Sequence, residues 1–168
     1  MKKTFKKSLN KTNITFKKSS KYKIKNRQVK ELIGEFIYFQ KKHVKNVIKE
    51  LKNGQKKTHW IWYFFPKTLN SFDKIKYEPT EKTKYFCFNS KKEAYAFVNT
   101  PYLLNNYLTC ITLLNKHKNS QKYIMDSYYQ GNDSKKVNDS KKIIKFILLN
   151  LRKKQKLTKK QELVLKII

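Results

Sequence analysis

Residues 58–66 read Thr-His-Trp-Ile-Trp-Tyr-Phe-Phe-Pro, and this run restricts the fold more than any other stretch. As a helix, it would put His59, Trp62, Tyr63 and Pro66 on one side and Trp60 and Phe64 on another. As a strand, it would put Trp60, Trp62 and Phe64 on one face. Either way both faces are apolar, so the element has to be enclosed on most sides, as the centre of a core or the lining of a pocket. Pro66 disfavours helical backbone at Phe65.

The flanking chain can supply that enclosure. Val29, Leu32, Ile33, Phe36, Ile37, Gln40, Val44, Val47, Ile48 and Leu51 follow the 3, 4 and 7 spacings of an amphipathic helix, and Asn53-Gly54 is a good stop. Thr58 is placed to cap the next element. Lys67 to Lys84, with Pro79 and many charges, reads as a long surface loop, and Tyr85-Phe86-Cys87-Phe88 as a short strand or extended segment. Ser90 with Glu93 forms a capping box for a short helix through Val98. Thr100-Pro101 restarts a helix whose stripe is Leu103, Leu104, Tyr107, Leu108, Ile111 and Leu114. A further short helix is expected from Ser120 to Tyr129, stopping at Gly131. Asp139 or Ser140 begins one through about Leu151, with Ile143, Ile144, Ile147, Leu148 and Leu151 inward. Thr158 with Gln161 suggests a last capping box. The expected fold is mainly α: a single compact multi-helix domain over 31–168 with a short aromatic central segment.

Charge sets the preceding residues apart. The net charge is +30, and residues 1–30 hold twelve basic residues and no acidic one. Large apolar side chains are sparse there (among them Phe5, Ile14, Phe16, Tyr22 and Ile24), too few to offset the entropy of ordering, so 1–30 reads as a disordered basic arm. Its candidate phosphate contacts are Lys2, Lys3, Lys6, Lys7, Lys11, Lys17, Lys18, Lys21, Lys23, Lys25 and Arg27. Lysine neutralises phosphate as a point charge and lacks the planar fork with which arginine reads guanine, so such binding would be sequence-independent and steeply salt-dependent. AT-rich codons would also favour lysine, but the Glu codons are nearly as AT-rich, and acidic residues are scarce. Both origins of the charge stay open.

Cys87 and Cys110 lie on apolar stretches and read as buried thiols, which favours a reducing compartment: cytoplasm, nucleus or virion interior. Residues 1–30 contain no apolar core of a secretory signal; organelle targeting by the acid-free arm stays open. No run approaches the ~18 apolar residues of a membrane helix. Three histidines and two cysteines at wide spacing match no zinc pattern, and glycine is too rare for a phosphate-binding loop, so no metal or cofactor is expected.

Glu50-Leu51-x-x-Gly54, followed by Lys57-Thr58-His59-Trp60-x-Trp62-x-x-Phe65-Pro66, resembles the signature of the domain-of-unknown-function family 1810, a small and mainly helical family without an established activity. Phe36 and Gln40 are similar to its opening Phe-x3-Gln, and Tyr85, Glu93-Ala94 with Phe97, and Pro101 with Leu103 are similar to its later elements. Gly131, Lys136, Val137 and Ser140 match more loosely. The resemblance covers about 31 to 165. Lys67 stands where the family usually has Gln, and the Gly-rich segment that normally follows is replaced by 67–84.

The candidate site is a nucleotide-type pocket at the aromatic run. His59 would move a proton, Trp60 and Trp62 would stack on a ring, Lys57 and Lys136 would hold phosphate, and Glu50 would orient the imidazole. His59 and Glu50 are thus the catalytic candidates. The competing reading makes both tryptophans core and His59 structural. The leading functional expectation is a non-enzymatic, sequence-independent binder of nucleic acid or another polyanion, within a nucleoprotein assembly. The alternatives are an enzyme or sensor for a nucleotide-like small molecule, and a structural assembly protein whose arm threads among other subunits.

Overall fold

The computed structural model describes residues 27–69, 80–117 and 133–168. The lysines at 2–25, the segment 70–79 and the helix expected at 120–129 lie outside them.

The long amphipathic pattern forms helix α1, Val29–Lys52, which buries Leu32, Phe36, Gln40, Val47 and Leu51. It stops where expected: Gly54 has φ of 67°, a left-handed conformation that glycine adopts without strain. The aromatic run then makes one helical turn, α2, Ile61–Phe64. Phe65 leaves the helix with φ of −126°, one residue before the proline. Enclosure is nearly complete, because Trp60, Ile61, Tyr63, Phe64 and Phe65 are buried and only Trp62 is half-buried.

Two expectations about the elements need correction. The stretch 67–84 is not one surface loop. Lys67, Thr68 and Leu69 are buried, and Thr68 and Phe88 form an isolated parallel bridge in which the Phe88 amide donates to the Lys67 carbonyl at 2.8 Å. Thr80 caps a short helix α3, Glu81–Tyr85, its hydroxyl accepting from the Thr83 amide. The aromatic side chain that follows, Phe86, is drawn into the core beside Phe36 at 5.5 Å, so this segment has to be ordered.

Helices α4, Lys91–Asn99, and α5, Pro101–Lys116, follow the capping box and the proline as expected. The second correction concerns α6, Asp133–Arg152, which starts well before Asp139. Val137 and Ser140 are fully buried and extend the stripe of Ile144, Ile147, Leu148 and Leu151 by one turn. The last helix, α7, Lys159–Ile167, carries the Thr158–Gln161 capping box. Gln161 also donates to the Val98 carbonyl (3.2 Å) and to Asn99 Oδ1 (2.9 Å), tying α7 to the end of α4.

The described residues therefore hold seven helices around one apolar core. Helices α1 and α5 lie side by side at its centre; α4 packs on α1, α5 and α6, and α7 packs on α5 and α6. A polar strut crosses this core. Gln40 donates to the Tyr63 carbonyl at 2.6 Å and accepts from Asn106 at 2.9 Å, joining α1, α2 and α5. Gln40→Leu would strand a buried carbonyl and a buried amide together. It is expected to cost about 2 kcal/mol and lower the melting temperature by roughly 5 °C, measured by circular dichroism. Asn106→Leu added to it should recover part of that loss.

The fold begins before residue 31. The Arg27 guanidinium is only 1% exposed and salt-bridges Glu93, itself 3% exposed. Its Nη2 also donates to the Cys87 carbonyl at 2.7 Å, and its Nη1 to the Tyr85 carbonyl. Arg27 was expected among the phosphate contacts of the arm. Its burial removes it from that set, because a guanidinium with all these protein partners presents nothing to a phosphate.

Candidate functional site

The site is built on Glu50, in the last turn of α1. After Gly54 the chain doubles back over its carboxylate. Oε2 accepts from the Lys57 amide (2.8 Å), the Thr58 amide (3.2 Å) and Trp60 Nε1 (2.7 Å), and Oε1 accepts from the Thr58 hydroxyl (2.5 Å). Burial pushes the Glu50 pKa up, but the bonds from Thr58, Trp60 and the two amides outweigh it and hold the pKa below its usual value. Glu50 thus clamps the turn into α2, rather than orienting the His59 imidazole as expected.

That clamp sorts the two tryptophans. Trp60 is fully buried, bonded to Glu50, with Lys56 Nζ 5.5 Å from its ring centroid. It is core and offers no face to a ligand. Trp62, two residues on, points the other way and is half-buried. His59, exposed, stacks nearly parallel on it at 6.0 Å. Lys82 Nζ and Lys136 Nζ lie over its ring at 5.2 and 5.6 Å, a cation–π arrangement. Of the expected pocket residues, the structure therefore gathers His59, Trp62 and Lys136. It leaves Trp60 in the core; the Lys57 side chain is exposed while its amide serves the clamp.

Behind Trp62 lies a cleft of about 10 Å³, room for one water-sized group. Among the described residues its walls are Trp62, Phe65, Lys67, Thr83, Phe86, Cys87 and Lys136. Trp62 Nε1 is buried and has no hydrogen-bond partner among the described residues. Burial holds the Lys67 ammonium below the ordinary lysine pKa and pushes the Cys87 thiol up to about 12. Lys136 is also bonded to Asp133 at 2.7 Å, and Asp133 pairs with Lys56 at 3.0 Å. Lys67, Lys82, Thr83 and Cys87 were not foreseen as part of the site. The one available signal was Lys67, a cation directly after Phe-Pro.

A second feature lies on the opposite end of the sequence. Arg152, Lys153, Lys154, Lys156, Lys159 and Lys160 are all exposed around the α6–α7 turn. Of these, Arg152, Lys156 and Lys159 line a groove of about 640 Å³ together with Lys166, Glu162 and the apolar Leu157, Leu163 and Leu165. Several carboxylates that would offset cationic surface elsewhere are already engaged: Glu50 in its clamp, Glu81 with Lys84, Glu93 with Arg27, and Asp133 with two lysines. Among the described residues no three His, Cys, Asp or Glu side chains form a metal-binding group, and no helix is long and apolar enough to cross a membrane.

No curated protein and no solved structure shows significant similarity to the chain. A family model does match, over residues 30–157, which run from the start of α1 past the end of α6. The chain belongs to the family described as Protein of unknown function (DUF1810).

Proposed function

We propose that this protein is a non-enzymatic, sequence-independent binder of nucleic acid or a chemically similar polyanion, acting within a nucleoprotein assembly in a reducing compartment. The observation that carries the reading is the α6–α7 turn, where six exposed cations fall within nine consecutive residues, 152–160. Lysines spaced along a turn neutralise successive phosphates and release their counterions, which supplies affinity without reading bases. The positive end of α7 adds to the field there. The ten lysines at 2–25 extend the same chemistry along the chain.

The test is fluorescence anisotropy with a labelled oligothymidylate between 50 and 200 mM salt. Lys153→Glu/Lys154→Glu/Lys156→Glu should weaken binding at least tenfold and flatten the slope of log K against log salt by about 2, as expected for three lost phosphate contacts on a single strand. The control reverses Lys41, Lys45 and Lys49 on α1, an equal change in net charge, and should act less than half as strongly. Equal effects of the two triples, or none from either, would refute the turn as the binding surface.

A further inference from the structure

We infer that the cleft behind Trp62 is a phosphomonoester site, taking one phosphate oxygen into the cleft and laying an attached planar ring against Trp62. The starting point is the buried indole N–H that finds no acceptor among the described residues. Indole can only donate, so whatever completes it has to be an acceptor. Among the described residues, the other polar side chains lining the cleft are Lys67, Lys136, Thr83 and the un-ionised Cys87 thiol, with no carboxylate among them, although the Asp139 charge is felt at Lys67 from outside the walls. The Thr83 hydroxyl exchanges a hydrogen bond with Thr80 at 2.9 Å. Asp133 holds Lys136 and is not a wall of the cleft, so an anion arriving there would share that ammonium. An acceptor ringed by donors and two positive charges is favoured when it is negative.

Size and surroundings narrow the class further. About 10 Å³ admits one oxygen, not a whole tetrahedral group, so the remaining oxygens would stay at the mouth within reach of Lys136. A halide would leave the half-buried Trp62 ring unused. That ring carries two ammonium groups and a stacked imidazole, and the imidazole belongs to the exposed His59, so a base next to its phosphate would take its place on the ring by displacing it. A mononucleotide and the phosphorylated end of a strand share this chemistry. The site uses residues separate from the α6–α7 turn, so either can fail without the other.

Isothermal titration calorimetry with adenosine 5′-monophosphate, adenosine and inorganic phosphate tests the proposal. The monophosphate should bind at least tenfold more tightly than adenosine. Trp62→Phe, which keeps an aromatic ring but deletes the N–H donor and shrinks the stacking face, should weaken it at least fivefold. Lys67→Met should weaken it at least tenfold while leaving oligothymidylate binding at the turn unchanged; should that variant not fold, Lys136→Met, on a partly exposed position, carries the same expectation. Two oligonucleotides differing only in a 5′-phosphate distinguish the sources: preference for the phosphorylated one, lost in the lysine variant, assigns a strand end, and tight binding of the free nucleotide alone assigns a small molecule. Equal binding of monophosphate and adenosine, no binding of either, or indifference to both lysine variants overturns the site.

Discussion

Arg27→Ala is expected to lower the melting temperature by roughly 10 °C, the largest single effect among side chains outside the apolar core. Removing one partner of a buried ion pair strands the other, at about 3–5 kcal/mol, and a chain of this size loses about 2–4 °C per kcal/mol. Here the stranded group is Glu93, which also accepts from the Asn89 and Ser90 amides and so cannot turn away without undoing the start of α4. The carbonyls of Tyr85 and Cys87 lose their donor in the same step. Arg27→Lys should rescue little, because three acceptors placed around a planar fork cannot all be met by an ammonium. Thermal melts followed by circular dichroism check this, and a variant within 2 °C of the parent would refute it. A truncation meant to separate the basic arm from the domain has to stop short of Arg27. Deleting residues 1–30 removes this anchor and the first two residues of α1, so lost binding in that deletion would confound unfolding with lost charge.

Glu50→Ala should come close behind, with a loss of about 3 kcal/mol and again roughly 10 °C, since two amides, a hydroxyl and an indole N–H lose one shared acceptor. Glu50→Gln keeps an acceptor oxygen and should lose less. The pair of variants also carries a pH signature. The Glu50 pKa is depressed in the folded state, so its stabilisation is fully present above the unfolded value and is lost as pH falls through the folded one. The gap in melting temperature between the parent and Glu50→Gln should therefore be constant near neutrality and close below pH 4.5, the group's ordinary value. A gap that stays open in acid would mean that the carboxylate's charge is not what holds the turn.

The parts legible in the sequence are those governed by local rules. Both capping boxes, the glycine stop of α1 and the proline start of α5 involve residues at most four apart, and each formed as read. The start of α6 was missed because 133–138 contains one apolar residue, Val137, too little to show a period. The tryptophans could not be told apart because α2 is a single turn, and one turn sets no face of its own. What separates Trp60 from Trp62 is the Glu50 carboxylate ten residues upstream, a pairing that only the doubled-back chain reveals. Arg27 was hidden inside a run of lysines. Its chemical distinctness was the clue, as the one guanidinium among the first thirty residues.

Cys87 and Cys110 are both buried, and burial pushes both thiols well above the range in which they ionise at neutral pH. The chain has no other cysteine. For labelling chemistry this amounts to a cysteine-free protein. A single Lys154→Cys on the α6–α7 turn would become its one reactive thiol, ready to carry a fluorophore or a photo-crosslinker to whatever lies against that surface, with no native residue replaced beyond the one being used.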